Sequence, residues 1–210
     1  MKKTIMIVAA TLATLVASAQ TKMWIAGNAG YFSSTTDVSG DTDPKVSGGS
    51  FGPQYGYWVN DNIAVGIGLS YSSSTAENGT EGGALDYKTK EMTGFSVSPF
   101  VRYYKKMDKF ALYGELNIGI GSGKTSWSDV TAGSSPVEVP DAETKSFSLN
   151  VGPGVQYWFS DNWSMNTTIG LLSYGTDTQV GQDGADDVVT SDLNFGLDMT
   201  SLNFGLNYHF

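Results

Sequence analysis

The stretch Ile63-Ala64-Val65-Gly66-Ile67-Gly68-Leu69-Ser70-Tyr71 decides the fold. Ile63, Val65, Ile67, Leu69 and Tyr71 fall on one side, and Ala64, Gly66, Gly68 and Ser70 on the other. Side chains alternate across a β-strand, so this pattern specifies a strand with two unlike faces, one large and apolar, one small. Outward from it the same grammar recurs. Phe51, Pro53, Tyr55, Tyr57 and Val59 alternate with Gly52, Gln54, Gly56 and Trp58. Phe95, Val97, Pro99, Val101 and Tyr103 alternate with Ser96, Ser98, Phe100 and Arg102. Phe110 to Ile120, Phe147 to Tyr157 and Trp163 to Leu171 repeat it, the last placing Trp163, Met165, Thr167, Ile169 and Leu171 on one face. Ile25 to Tyr31 reads as a less regular first strand. The last strand carries Leu193, Phe195, Leu197 and Met199 on one parity and Leu202, Phe204, Leu206, Tyr208 and Phe210 on the other, which a β-bulge near Thr200-Ser201 would reconcile. The count is eight strands, and no segment asks to be a helix.

The connections alternate in length. Asn60-Asp61-Asn62, Lys105 to Lys109 and Ser160-Asp161-Asn162 are short turns, whereas Thr36 to Lys45, Ala76 to Lys88, Lys124 to Lys145 and Thr176 to Asp192 are long polar segments that read as loops. Short turns at one end and long loops at the other are the habit of transmembrane barrels. An internal repeat marks the hairpins: Gly52-Pro53-Gln54-Tyr55-Gly56-Tyr57-Trp58 is echoed from Ser98 to Tyr104 and again from Gly152 to Trp158.

A soluble barrel also alternates, so the second face has to decide. Water-exposed strands carry Lys, Glu and Arg, but here that face is mostly Gly, Ser, Asn, Gln and Thr. Small polar groups suit a narrow barrel interior, which leaves lipid for the large apolar face. Ring closure then satisfies the backbone inside hydrocarbon. Aromatic residues sort into two belts: Trp24, Tyr57, Trp58, Tyr103, Tyr157, Trp158, Trp163 and Tyr208 toward the short turns, Tyr31, Tyr71 and Tyr174 toward the long loops. The expectation is an all-β protein, an eight-stranded antiparallel up-and-down transmembrane β-barrel.

Composition agrees with this and closes off other classes. The 210 residues include 26 glycines and no cysteine, which removes disulfides, zinc-thiolate sites and a cysteine nucleophile. A net charge of −9 argues against nucleic acid as a partner. Met1-Lys2-Lys3, an apolar run from Thr4 to Val16 and Ala17-Ser18-Ala19 form a secretory signal over 1–19, cut before Gln20, with 20–210 the barrel domain. Removing Lys2 and Lys3 from the 12 basic groups leaves 10 against 21 acidic ones, a net −11.

The chain resembles the small eight-stranded outer-membrane barrels, the outer-membrane-protein-A-like or "porin family" type, over essentially all of 20–210. The resemblance rests on the signal, the hairpin rhythm and the terminal Tyr208-His209-Phe210. It implies the outer membrane of a Gram-negative bacterium, outer-membrane lipid and lipopolysaccharide as surroundings, and periplasmic chaperones and the barrel-assembly machinery as partners during biogenesis. By the same likeness Phe204, Leu206, Tyr208 and Phe210 form the C-terminal insertion signal, and a chain ending at Phe210 lacks the peptidoglycan-binding domain of two-domain members.

Candidate chemistry is sparse. Gly119-Ile120-Gly121-Ser122-Gly123-Lys124-Thr125 imitates a phosphate loop, but Ile118 stands where its first glycine belongs and no helix follows. His209 is the one histidine, at the turn end and far from the outer loops, a poor general base. Arg102, the only arginine, points inward and falls opposite or diagonal to Glu115, within reach of a cross-strand ion pair in the lumen. That pair serves either as a structural neutralisation or as a gate. The outer segments are acidic: Asp37, Asp41, Asp43, Glu77, Glu81, Asp86, Asp177, Asp183, Asp186, Asp187 and Asp192. They are solvated loops or bridges to lipid through divalent cations, although calcium-loop spacing is missing. Lys105, Lys106 and Lys109 mark a periplasmic turn. No catalytic, cofactor or metal site is expected. The functional expectation is a non-enzymatic protein with a structural or surface-contact role and a surface ligand at its loops, the alternative being a narrow or gated pore for small solutes.

Overall fold

In the computed structural model the described residues are 22–36, 44–81, 85–132, 135–181 and 186–210. The expected signal, 1–19, and Asp37, Asp41, Asp43 and Asp183 lie outside them. The strands are β1 (Met23–Thr35), β2 (Lys45–Trp58), β3 (Ile63–Glu81), β4 (Leu85–Met107), β5 (Phe110–Ala132), β6 (Ser135–Pro136), β7 (Ala142–Trp158), β8 (Trp163–Gln179) and β9 (Val188–His209). Eight of them form one antiparallel ring, β1-β2-β3-β4-β5-β7-β8-β9, with β9 returning to β1. The two-residue β6 stands outside the ring, paired to the far end of β5. The sequence alternation therefore closes into an eight-stranded up-and-down barrel.

The apolar rows face outward. On β3, Val65, Ile67, Leu69 and Tyr71 are exposed while Ala64 and Gly68 are buried. Ile63 to Tyr71 spans about 27 Å along the strand at ~3.4 Å per residue. At the usual tilt of about 40° this becomes a band roughly 21 Å tall, close to the ~25 Å of outer-membrane barrels. Its upper rim is a run of facing rings, Phe51 opposite Tyr71 and Tyr71 opposite Phe95. Its lower rim holds Phe110 against Tyr157 at 4.7 Å and Trp163 against Tyr208 at 5.0 Å.

Three of the residues read as belt aromatics are not in the belt. Trp24 is 1% exposed and lies inside the barrel. Trp58 and Trp158 pack against an interior cluster of Ala64, Tyr104, Ala111 and Tyr113. All three stand on even, inward parity, so side-chain direction overrides position along the strand.

Three of the four long polar segments, Ala76 to Lys88, Lys124 to Lys145 and Thr176 to Asp192, are strand over most of their described length. β4 and β5 are each 23 residues long, more than twice the ~9–11 that cross a bilayer. The segment read as a loop over Ala76 to Lys88 is mostly paired strand, from Ala76 opposite Lys90 to Glu81 opposite Leu85. β5 continues to pair with β4 as far as Thr131 opposite Asp86. Alternation fades there because both faces meet water, and with it goes the sequence signal for a strand.

Two irregularities shape the wall. Between Val151 and Gly154 of β7, two residues face three on β8, so β8 bulges over 169–171. Leu172 and Tyr174 take over the outward parity, so the row that begins at Trp163 does not run through to Leu171 without a break. Gly152 is where the bulge presses in, since a Cβ there would meet the Ile169 carbonyl oxygen. The β8–β9 register also slips between Asn203 and Phe195, around the position where the parity change in the sequence calls for a bulge. Finally, β1 and β9 pair only from Trp24 opposite His209 to Gly27 opposite Leu206. Beyond those rungs no further pair joins the first and last strands among the described residues, which leaves the seam unzipped there.

Candidate functional site in the barrel lumen

The short-turn end is locked by two like turns, Asn60-Asp61-Asn62 and Ser160-Asp161-Asn162. Asn60 Oδ1 accepts from the backbone N–H of Asn62 and Ile63, both at 2.9 Å, and Ser160 Oγ accepts from Trp163 N–H at 3.1 Å. Asn62 Nδ2 then donates to the Tyr104 carbonyl and Asn162 Nδ2 to the His209 carbonyl, each at 2.9 Å. The two turns thus stitch themselves to the neighbouring strand ends in the same way.

Inside this end the lumen is filled. Three aromatic side chains reach across the ladder onto glycines. Trp24 pairs with Gly56, Phe100 with Gly66 and Tyr113 with Gly154, and a Cβ on any of these glycines would fall within the facing ring. The guanidinium of Arg102 sits among the same three rings, 5.0 Å from Trp24 and 4.9 Å from both Phe100 and Tyr113. Arg102 Nε lies 2.5 Å from Glu115 Oε2, with the two residues directly opposite on β4 and β5. Their side chains are 2% and 14% exposed. Arg102 also reaches the Tyr104 hydroxyl at 3.4 Å and Gln54 Oε1 at 3.5 Å.

From Tyr104 the network runs on toward the C-terminus. The Tyr104 hydroxyl donates to Gln156 Oε1 at 3.0 Å, and Gln156 Nε2 donates to Ser164 Oγ at 2.8 Å. Ser164 Oγ is 2.8 Å from His209 Nε2, and Asn207 Nδ2 donates to Ser164 Oγ at 3.0 Å. The sequence gives no hint that His209 meets a serine, because the contact depends on β9 returning beside β8. A Ser–His pair is the core of a nucleophilic site, but Ser164 has no exposed surface and its polar neighbours are carboxamides. A buried hydroxyl that no substrate reaches, beside an imidazole with no carboxylate to orient it among the described residues, is a structural link. Below the ring, Lys106 Nζ lies 4.2 Å over the Trp58 ring, so one of the three turn lysines caps the packed floor.

Above Arg102 the packing stops. A chamber of about 910 Å³ opens, lined by Asn28, Gln54, Asn117, Asn150 and Asn166 with Arg102 and Glu115 at its base. Ser50, Ser70 and Ser72 stand higher on the inward parity and are exposed, so the lumen is wet and open toward the long strands. Phe195, Phe204 and Gly205 also border the chamber, beside the unzipped seam. Gly119 and Gly121, from the stretch resembling a phosphate loop, lie within β5 and make room for Ser148, Ser146 and Ser96.

Of the expected insertion signal, Phe204 and Leu206 are exposed on the outer face, and Tyr208 stacks edge-on with Phe210 at 5.0 Å. The Phe210 N–H donates to the Met23 carbonyl at 3.0 Å, joining the two ends of the barrel. At the opposite end the acidic residues are partly paired. Lys88 lies 3.7 Å from Asp129 and Lys124 2.7 Å from Asp141, which holds the Lys124 ammonium above the usual lysine range by hydrogen bonding. Among the described residues no cluster of three or more His, Asp or Glu could hold a metal ion.

A closed eight-stranded ring with its apolar rows outward and its polar groups within is a transmembrane β-barrel. The chain belongs to the outer membrane protein beta-barrel domain family, which it matches over residues 4–210. That membership places it in the outer membrane of a Gram-negative envelope. Among solved structures it is similar to Neisserial surface protein A, at 15% identity over 90% of this chain and 97% of that one, TM-score 0.42. It is similar to Ail, the attachment invasion locus protein of Yersinia pestis, at 18% identity over 91% and 100%, TM-score 0.40. A third is outer membrane protein W of E. coli, at 17% identity over 92% and 100%, TM-score 0.47. No curated protein matches the chain.

Proposed function

We propose that the chain is a non-enzymatic outer-membrane protein with a structural or surface-contact role, acting through the strands and tips that stand above the bilayer. The observation that carries this reading is the packed floor: Trp24, Phe100, Arg102, Tyr104 and Tyr113 fill the lumen at the short-turn end. Eight strands leave an interior about wide enough for side chains alone, so a floor of this kind favours a blocked barrel over a pore. The projecting hairpin β3–β4, with β5 beside it, offers a surface ligand a broad, mostly polar face rather than a mobile loop. Lipopolysaccharide and outer-membrane lipid surround the band below it.

Biogenesis follows the same reading. The signal over 1–19 is cleaved before Gln20, periplasmic chaperones carry the chain, and the barrel-assembly machinery reads Phe204, Leu206, Tyr208 and Phe210. Arg102 and Glu115 act as a structural pair that neutralises two buried charges. Planar-bilayer recordings of the mature protein test the central point: wild type and Glu115→Ala both silent is the expected result. Steady channels in either would replace this reading with the narrow or gated pore. Loss of cell or matrix binding on deleting Ala76–Lys88, with the barrel still folded, is the expected sign of surface contact.

A further inference from the structure

The wet chamber above the floor has a chemistry that neither the packed network below nor the projecting strands require. Six carboxamides from six strands line it: Asn28 of β1, Gln54 of β2, Asn117 of β5, Asn150 of β7, Asn166 of β8 and Asn194 of β9. Each carboxamide presents a donor and an acceptor side by side. Among the described residues the charges at the chamber are Arg102 and Glu115, and they pair with each other, so the described lining is neutral. Asn166 is 7% exposed; its Nδ2 donates to the Tyr113 hydroxyl at 3.1 Å, while its Oδ1 is buried with no hydrogen-bond partner among the described residues. That oxygen lies toward Gly205, itself part of the chamber wall. Leu171, which shares the parity of Ser173, lines the chamber together with Val151, Ile169 and Leu172 and gives it an apolar side.

We propose that this chamber is a binding site for a neutral, polyhydroxylated small molecule of the saccharide class, entering from the wet outer mouth. Paired donors and acceptors match vicinal hydroxyls, a neutral lining gives no preference to either sign of charge, and an apolar wall suits the C–H face of a sugar ring. The volume lies within the ~300–1,000 Å³ range of small-molecule sites. The packed floor closes the lower end, which leaves the outer mouth as the route for a polar ligand and the seam between β1 and β9 as a side route for an apolar one.

The test uses mature protein refolded in a phosphocholine detergent, which contains no sugar head group, with the side-chain amide resonances of Asn and Gln followed by NMR. Maltose is the probe, gluconate and glucosamine are its charged counterparts, and decanoate is an amphiphile able to enter through the seam between β1 and β9. The expected result is saturable shifts with maltose in the millimolar range and weaker ones with both charged sugars. Asn117→Leu/Asn150→Leu, which removes two carboxamides directly opposite each other, should weaken maltose by about tenfold or more as its hydrogen bonds are lost. Asn28→Leu provides the same readout should the double variant fail to refold, and Leu116→Val, on the lipid face, should change nothing. Shifts that stay linear in maltose, or that persist in the Leu variants, overturn the proposal. Saturation by decanoate but not by maltose overturns it in favour of a lipid-derived ligand.

Discussion

Replacing Arg102 by Met tests the packed floor most sharply, because it keeps the stem's volume and removes only the charge and its donors. Arg102 is 2% exposed, paired to a Glu115 that is 14% exposed, and surrounded by three rings within 5.0 Å. Removing one partner of a well-buried ion pair costs ~3–5 kcal/mol, since the other charge is left without compensation. The ring contacts, each worth about 2 kcal/mol for a desolvated cation, overlap with that cost and put the expectation toward the upper end of the range. A loss of this size lowers the folding equilibrium constant by roughly two to four orders of magnitude. It is read from reversible urea unfolding in phospholipid vesicles, followed by tryptophan fluorescence. The double variant Arg102→Met/Glu115→Leu should recover most of the loss, because replacing both charges by apolar groups is often close to neutral. A cost below ~1 kcal/mol for the single variant, in the range of an exposed pair, would refute the view that this pair is desolvated.

Three other outcomes follow from the same geometry. Gly154→Ala places a methyl in the Tyr113 ring, and over-packing of this kind should cost ~1–3 kcal/mol in the same urea assay. Ile67→Arg puts a charge in the middle of the lipid-facing row of β3 and should cost ~2–4 kcal/mol. Ser70→Arg, on the inward and wet side of the same strand, should cost far less, and equal costs would contradict the assignment of faces. Phe210→Ala should reduce the amount of heat-modifiable barrel recovered from cell envelopes while purified protein still refolds in detergent; equal recovery would remove the insertion-signal role.

Faces were legible in the sequence wherever they meet different media. Ile63 to Tyr71 announces both its lipid side and its lumen side, because a strand's side-chain direction is a local property. The Arg102–Glu115 juxtaposition was legible for a related reason: a short turn at Met107 to Phe110 fixes the register of β4 against β5. The upper halves of β3, β4 and β5 were not, since two water-facing sides erase the alternation and leave polar runs that read as loops. The belt placement of Trp24, Trp58 and Trp158 failed where nearness to a turn was weighed above parity.

What the chain determines by itself is the class of structure: period-two patterning, turn chemistry and an apolar outward row are all set within a few residues. Only the closed barrel decides what stands across from what. That Trp24 rests on Gly56, that Tyr113 rests on Gly154 and that His209 meets Ser164 all depend on strand register and on the last strand returning to the first. The bulge over 169–171 likewise exists only as a mismatch between β7 and β8. Such partners lie tens of residues apart, and ring closure, a global constraint, selects them.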